Sequence, residues 1–320
     1  YLGPLYYYMM AIPMAIFWLN PVAAAGMDAL IGVLTVLLVY LLGKLWFGRV
    51  AGLISAYLYA ISPVTIIYSK SSWNPNPTPF FALLAIFGLY KIHKSGNFLW
   101  LILLGFALAA GLQMHYLAVI LIPIAFILLI YKKKLIKNLL PGTILGVLTF
   151  LLVMSPLLLF DLKHDFLNYK AITALLTQGN SVQVNIFSNI TRIPSLYSYN
   201  LIGRYVTGEN FFLTMLVSIL LLVPIIFRLR SWPILALTVW LLVGLLGLSF
   251  YRQSVYDHYL GFLNPVPFLL LGSMAGLIRI PAWKIGLGLL VLFLTIVNLQ
   301  KNPLLFSPNN QLKRTQEVAK

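Results

Sequence analysis

Residues 22–43 read VAAAGMDALIGVLTVLLVYLLG, an apolar run of 22 residues in which Asp28 is the single charged side chain. About 20 consecutive apolar residues are enough for an α-helix to cross the hydrocarbon core of a bilayer. Over the whole chain 61% of residues are hydrophobic and 9% are charged, whereas an ordinary soluble domain carries about 25% charged residues. A soluble fold of this composition would expose large apolar patches, which lipid can cover. The sequence therefore predicts an integral membrane protein.

Further apolar runs follow along the chain, each separated from the next by charges or turn residues. The ten runs are 22–43, 50–68, 79–92, 98–113, 115–131, 139–160, 211–227, 233–250, 261–278 and 285–299. Runs of this kind are typical of membrane-spanning helices. We predict the fold class as all-α, a polytopic transmembrane helical bundle with about ten spans.

Lysine and arginine side chains orient these runs, because loops on the cytoplasmic side of a membrane are enriched in both. They fall in alternate gaps: Lys44 and Arg49; Lys91 and Lys94; Lys132, Lys133, Lys134 and Lys137; Arg228 and Arg230; Arg279 and Lys284. We therefore assign these gaps to the cytoplasm and the gaps between them to the outside of the plasma membrane. Juxtamembrane basic residues explain the net charge of +16, and we expect no nucleic-acid partner.

This orientation divides the chain into five segments. They are an outer interfacial helix at 1–20, a transmembrane bundle at 21–160, an extracytoplasmic loop with an interfacial helix at 161–210, a second transmembrane bundle at 211–299, and the start of a truncated extracytoplasmic tail at 300–320. In the first segment Tyr6, Tyr7, Tyr8 and Trp18 are predicted at headgroup depth, where aromatic side chains are enriched.

Polar side chains occur at the outer ends of the predicted spans. Because polar groups are costly in lipid, each of them is a candidate for a structural or functional role. Asp28 either snorkels to the outer surface or lines an outward cavity. Lys70 and Asn76 lie in the sequence SKSSWNPNP at 69–77. That segment is either a proline-stiffened turn or a loop that presents the Lys70 ammonium to a phosphate. His115 lies in a tight turn and is either structural or cavity-lining.

Two further clusters lie on the same predicted side of the membrane. Lys163 and His164 belong to the sequence DLKHD, which is either a solvated charge cluster or a phosphate-binding segment. Asp257, His258 and Tyr259 precede another span, and structural and functional roles are both open for them. A phosphorylated lipid headgroup would suit a site built from these groups. The chain has no cysteine and no histidine spacing typical of a metal site. We expect no metal site and no cofactor, and leave open whether a divalent metal is needed.

Several short motifs recur in an order and spacing found in one group of membrane enzymes. They are LGPLYYY at 2–8, LLVYLLGKLWFG at 37–48, AISP at 60–63, YSK at 68–70, and HYL at 258–260 followed by Pro265. In these motifs the chain resembles the membrane glycosyltransferases of the GT-C fold, over nearly its whole length. The most similar branches are the protein mannosyltransferases, the aminoarabinose transferases and the rhizobial galacturonosyltransferase-like proteins.

The resemblance implies a hexosyl- or pentosyltransferase that moves a sugar from a polyprenyl-phosphate donor to a lipid, glycan or protein acceptor at the extracytoplasmic face. We expect inverting displacement at the anomeric carbon, with no direct use of a nucleotide sugar. We assign binding of the donor lipid phosphate to Lys70, Lys163, His164, His258 and Tyr259. We assign the lining of the polar cavity to Asp28, Asn76, His115 and Asp257.

In the family the catalytic acid lies in a first outer loop that precedes the LGPLYYY motif. We therefore expect the general base upstream of Tyr1, leave the catalytic residue unassigned, and expect the 320 residues to be inactive alone. Gly3 stands where some relatives have Lys, relatives often have Arg near Asp28, and some have Asp near Asn76. These departures leave the identity of the donor sugar open.

Two other functions fit a polytopic membrane protein, and a non-enzymatic scaffold is a third possibility. A multi-pass lipid or solute transporter would place polar residues at mid-membrane on paired half-repeats, which the sequence does not show. A polysaccharide ligase or polymerase would use Arg and His in its large outer loop, and Arg192 and Arg204 keep that alternative open.

Overall fold

The structure is a computed structural model that describes residues 3–131, 140–177, 189–251, 254–277, 280–306 and 310–318. Its regular elements within these ranges are helices. They are α1 (Leu5–Ile16), α2 (Pro21–Phe47), α3 (Arg49–Ile61), α4 (Pro63–Ser69), α5 (Thr78–Ser95), α6 (Trp100–Met114), a 3₁₀ turn (Tyr116–Ile120), α7 (Leu121–Ile130), α8 (Leu140–Lys163), α9 (Leu167–Thr177), α10 (Ile193–Ser195), a π-helix (Leu196–Gly203), α11 (Phe211–Leu220), α12 (Leu222–Arg228), α13 (Trp232–Ser249), a 3₁₀ turn (Asp257–Leu260), α14 (Pro265–Leu277), α15 (Pro281–Gln300), α16 (Pro303–Phe306) and α17 (Gln311–Val318).

Local sequence explains where the first long helices begin and end. The Asn20 side chain caps α2 by accepting a hydrogen bond from the Val22 amide at 3.0 Å, and Pro21 occupies the first turn, where its missing N–H costs nothing. Gly48, with φ +99°, separates α2 from α3. Gly96 ends α5 in the left-handed conformation that glycine tolerates best.

The all-α membrane fold is confirmed, but the count of ten spans is not. Each of the ten apolar runs contains a helix or a pair of consecutive helices. By length and composition, five described helices could each cross a membrane: α2, α8, α11 with α12, α13 and α15. A sixth span results if α3 and α4, which meet at 68°, form one bent span. The other runs correspond to shorter helices or, for α5, to a helix whose last turn carries His93 and Lys94.

Close helix packing organises the centre of the bundle around α2, α3 and α14. Gly43 of α2 lies against Gly52 of α3, where a Cβ on Gly43 would come within 2.8 Å of the Gly52 Cα. On α14, Gly272 packs on Ala51 and Ser55 of α3. Small residues let helix backbones approach closely, which is how membrane helices gain contact without a hydrophobic driving force.

Helix α1 packs on α2 and α6. Contacts within the protein therefore hold it in place, in addition to the predicted contact with the membrane interface. Tyr7 and Tyr8 are exposed, and Trp18 is 94% exposed, as suits side chains in contact with lipid or headgroups. Tyr6 departs from the predicted headgroup position because its side chain is only 5% exposed and turns inward. The interfacial depth of the helix itself stays a prediction.

Among its described residues, the segment predicted as an outer loop is largely helical. It holds α9, and from Ile193 to Gly203 it continues as helix. Leu201, Tyr205 and Val206 are buried in the same apolar core as the predicted spans. The described second half of this segment is therefore part of the packed bundle. The sequence did not predict this, because polar and apolar residues are mixed along the segment. Residues 132–137 and Arg279, used above for orientation, lie outside the described residues.

Candidate functional site

Three loops meet at one end of the bundle and bring aromatic and histidine rings together. The Trp73 ring lies 4.5 Å from the His258 ring, measured between centroids. The His115 ring lies 5.6 Å from His258 and 5.3 Å from Tyr259. Tyr251 lies two residues after the end of α13. Its hydroxyl is 3.4 Å from the Tyr259 hydroxyl. We call Trp73, His115, Tyr116, Tyr251, Tyr256, His258 and Tyr259 the ring cluster.

Asp28 supports one side of the ring cluster from within α2. Its Oδ2 accepts hydrogen bonds from the Tyr6 hydroxyl at 2.8 Å and from the Trp73 amide at 3.1 Å. The same Tyr6 hydroxyl lies 2.7 Å from the Ser72 Oγ. The side chain is 2% exposed, so it does not snorkel to the surface. Asp28 instead joins α1 to the loop that carries Trp73.

His115 lies between α6 and the 3₁₀ turn and caps the helix that follows. Its Nδ1 accepts a hydrogen bond from the Leu117 amide at 3.2 Å. Burial lowers the pKa of His115 to about 3, and the neighbouring His258 adds to the decrease. Burial also lowers the pKa of His258, against the opposing charge of Asp257. Both imidazoles are therefore neutral at pH 7.

A second network fixes the other side of the cluster. Arg204 donates two hydrogen bonds to the Asp257 carboxylate, at 3.0 and 2.6 Å, and also contacts Glu209. Because of these carboxylates the pKa of Arg204 is raised, and Arg204 in turn lowers the pKa of Glu209. The Tyr205 hydroxyl donates to the Asp257 carbonyl at 2.7 Å. Asp257 therefore holds its own loop in place rather than presenting a free carboxylate.

Lys70 follows α4 in the loop that carries Trp73 and is half-buried. It forms no ion pair with any described residue. Asn76 stiffens the same loop, because its Nδ2 donates to the Ser71 carbonyl at 2.5 Å. A half-buried ammonium in a fixed loop can bind an anion without first giving up another partner.

Lys163 and His164 lie apart from these contacts, at the exposed end of α8. The His164 ring stacks on Phe160 at 4.1 Å, and its Nδ1 pairs with the Phe160 carbonyl at 2.8 Å. No contact among the described residues joins either side chain to the ring cluster. The structure thus gathers His258 and Tyr259 with two predicted cavity residues, His115 and Asp257, and leaves Lys163 and His164 elsewhere. All these roles stay predictions.

Sequence reasoning missed four members of this end of the bundle. The sequence predicts Tyr6 at headgroup depth and indicates no role for Trp73 or Tyr251. Gln113 is buried in α6, where it accepts from the Leu5 amide at 3.2 Å and donates to the Val153 carbonyl at 2.7 Å. An amide in an otherwise apolar helix was a usable signal for Gln113. No local pattern marked the three aromatic residues.

The two arginines that suggested a ligase or polymerase both make intramolecular contacts. Arg192 donates to the carbonyls of Ser249 and Tyr251, and Arg204 pairs with Asp257 as described above. Across the described part of the chain, no group of three His, Asp or Glu side chains could hold a metal ion.

The comparison with known families and structures agrees with this architecture. Residues 2–160, just under half of the chain, match the sequence model of the family described as dolichyl-phosphate-mannose-protein mannosyltransferase. A putative mannosyltransferase from Bacillus subtilis, YkcB, is 31% identical over 125 residues, which are 39% of this chain and 18% of that protein.

Solved structures match over most of the chain. The crystal structure of ArnT from Cupriavidus metallidurans bound to undecaprenyl phosphate superposes with a TM-score of 0.66 at 15% identity, covering 90% of this chain and 53% of ArnT. The archaeal oligosaccharyltransferase AglB from Archaeoglobus fulgidus, in complex with an inhibitory peptide and a dolichol-phosphate, matches with a TM-score of 0.54 at 15% identity, covering 94% of this chain and 48% of AglB.

These matches show the fold of the chain. The chain is a multi-pass membrane protein with the GT-C fold of membrane glycosyltransferases, and the resemblance seen in its motifs is confirmed. It spans about half the length of the solved structures that it matches, and less than a fifth of the Bacillus protein.

Proposed function

We propose that the full-length protein is a glycosyltransferase that takes a hexosyl or pentosyl unit from a polyprenyl-phosphate donor. The acceptor is a lipid, glycan or protein, and the site faces the outside of the plasma membrane. The fold supports the chemistry, because one matching structure holds undecaprenyl phosphate and another holds a dolichol-phosphate. The orientation rests on the alternation of basic gaps along the sequence.

The observation that carries this proposal is the loop that holds both Lys70 and Trp73, because the Trp73 ring lies against His258 of the ring cluster. Lys70 has a positive charge that no described carboxylate neutralises. Trp73 is exposed and offers an apolar ring on which a sugar can pack, and the Tyr259 and Tyr251 hydroxyls offer polar groups. A lipid-linked sugar phosphate needs an anion partner, a ring platform and access from the membrane, and this end of the fold offers the first two together.

The reaction breaks the bond between the anomeric carbon and the phosphate oxygen of the donor. The electron pair leaves with the polyprenyl phosphate, the acceptor oxygen forms the new bond to carbon, and the acceptor proton passes to a general base. We propose that this base is a carboxylate, as the family resemblance implies. The leaving phosphate gains negative charge in the transition state, so a fixed cation such as Lys70 lowers the barrier.

The test uses the full-length protein reconstituted in lipid vesicles with a set of labelled polyprenyl-phosphate sugars. We expect transfer from at least one of them and none from nucleotide sugars alone. Lys70→Ala should lower kcat/KM for the donor about 10- to 100-fold, the size of a lost hydrogen bond between charged groups. Lys70→Arg should retain part of the activity.

The matched control is Lys94→Ala, since Lys94 is an exposed lysine at the opposite end of α5 from the loop that carries Trp73. It should leave transfer unchanged. Turnover of a nucleotide sugar in vesicles free of polyprenyl phosphate would refute the proposal. Full activity of Lys70→Ala would remove Lys70 from the site.

A further inference from the structure

His115 stands at the start of a helical stretch that runs without interruption from Tyr116 to Ile130. Its Nδ1 accepts the Leu117 amide hydrogen at 3.2 Å. A ring nitrogen that accepts a hydrogen bond carries no proton, so the neutral imidazole must carry its proton on Nε2. Nε2 lies on the opposite edge of the ring, away from the Leu117 amide.

Three features keep this imidazole uncharged. The side chain is 5% exposed, the N-terminal end of a helix carries partial positive charge, and the other titratable groups in ring contact are His258, Tyr116 and Tyr259. None of these contacts is a carboxylate that would stabilise an imidazolium. In agreement, the pKa of His115 is lowered to about 3.

The same surroundings favour an anion beside the ring. The helix N-terminus attracts negative charge, and Lys70 lies in the loop that brings Trp73 to His258. An Nε2–H donor at this point can hold an anionic oxygen by a hydrogen bond while keeping its own proton, because neutral imidazole is a very weak acid.

We infer that His115 binds its ligand as a neutral hydrogen-bond donor, with Nε2–H directed to a phosphate oxygen of the lipid-linked sugar donor. His115 then acts neither as a general base nor as a cation. Lys70 supplies the charge and His115 supplies a fixed donor that strengthens as the leaving phosphate gains charge. The identity of the ligand rests on the proposed function, whereas the protonation state of His115 does not.

The protonation state can be measured without any activity assay. Full-length protein labelled with ¹⁵N-histidine in lipid nanodiscs gives imidazole resonances, and the one lost in His115→Gln identifies His115. We expect this ring to carry its proton on Nε2 alone from pH 8 down to pH 5. A ring that is doubly protonated at pH 6, or that has its proton on Nδ1, would overturn the inference.

Two substitutions separate ligand binding from helix capping. In His115→Gln the side-chain amide reaches the position of Nε2 and keeps a donor there, while the Nδ1 acceptor is lost. In His115→Asn the side chain is an efficient helix cap but no donor reaches the Nε2 position. If His115 binds the phosphate, His115→Gln keeps kcat/KM for the donor within about threefold of wild type, and His115→Asn loses about tenfold, the size of one neutral hydrogen bond to a charged group.

The reverse order, with His115→Asn active and His115→Gln inactive, would show that capping is the only role and would overturn the inference. His93→Gln is the control, because His93 stacks on Trp232 near the C-terminal end of α5, and it should leave transfer unchanged.

If the wild type transfers no sugar from any polyprenyl donor, the proposed function and the phosphate ligand are both refuted, and only the neutral Nε2 tautomer of His115 remains. If the wild type is active and both variants match it, the inference alone fails.

Discussion

Asp28 lies in an apolar helix, yet its carboxylate faces protein. It accepts hydrogen bonds from Tyr6 of α1 and from the Trp73 amide, and it is nearly fully buried. Removing a buried acceptor leaves its donors without a hydrogen-bond partner, which costs about 1–3 kcal/mol for each donor. Asp28 therefore couples the position of the first helix to the loop that presents Trp73.

We expect Asp28→Ala to lower the unfolding free energy by about 2 kcal/mol or more. Asp28→Asn should lose less, because the amide oxygen can still accept from Tyr6 and from the Trp73 amide. Thermal unfolding of the detergent-solubilised protein, followed by the loss of the monodisperse peak, measures both. Equal losses in the two variants would mean that the hydrogen bonds to Asp28 contribute nothing measurable.

The neutral histidine at 115 predicts a pH dependence of stability. Its pKa in the folded protein is about 3, below the ordinary value of 6.5, so the unfolded chain takes up the proton first as the pH falls. The contribution is complete above pH 6.5 and is lost progressively as the pH drops towards 3. One pKa unit corresponds to about 1.36 kcal/mol, so by pH 5 the loss reaches about 2 kcal/mol.

The comparison of wild type with His115→Asn isolates this effect from other titrating groups, Glu209 among them. From pH 8 to pH 5 the unfolding midpoint of the wild type should fall relative to that of the variant, because the variant has no imidazole to protonate. Parallel curves over this range would contradict the buried, neutral state of His115.

At the scale of elements, glycines decide how closely the helices approach. A Cβ added to Gly272 of α14 would overlap the Ala51 carbonyl and the Ser55 Oγ of α3. On α15, by contrast, a Cβ added to Gly286 or Gly288 meets no atom within 4 Å. The same residue type therefore has opposite roles on two neighbouring helices.

We expect Gly272→Ala to destabilise the protein by about 1–3 kcal/mol, the usual effect of overpacking. Gly286→Ala is the matched control and should be neutral or stabilising by up to about 1 kcal/mol, since alanine favours the helix more than glycine does. Melting temperatures of the two variants in detergent make the comparison. A Gly272→Ala variant as stable as Gly286→Ala would show that α14 can move away from α3 at no cost.

At the scale of the whole molecule, the orientation in the membrane can be tested directly, because the 320 residues contain no cysteine. Ser195 is exposed in a segment predicted outside, and Lys94 is exposed in a gap predicted inside. In a full-length protein freed of any other cysteine, Ser195→Cys should react with a membrane-impermeant maleimide on intact cells. Lys94→Cys should react only after permeabilisation. The inverse pattern would place the ring cluster on the cytoplasmic side and overturn the proposed location.

The sequence predicted a helical membrane protein and the positions of its long apolar helices. Hydropathy is a local property, so the run from 22 to 43 predicts α2 (Pro21–Phe47) to within a few residues. The motifs likewise predicted the GT-C fold. The number of spans did not follow, because an apolar run can be either a full span or a short helix buried among others, and only length and packing separate the two cases.

Only the tertiary structure decided which polar residues meet. Tyr6 bonds Asp28, Trp73 lies on His258, and Arg204 pairs with Asp257 across 53 positions of the chain. No periodicity or spacing encodes such contacts, since each depends on how whole helices pack. The charge state of His115 has the same origin. An isolated histidine titrates near 6.5, and burial at a helix start, beside a second histidine, is what keeps this one neutral.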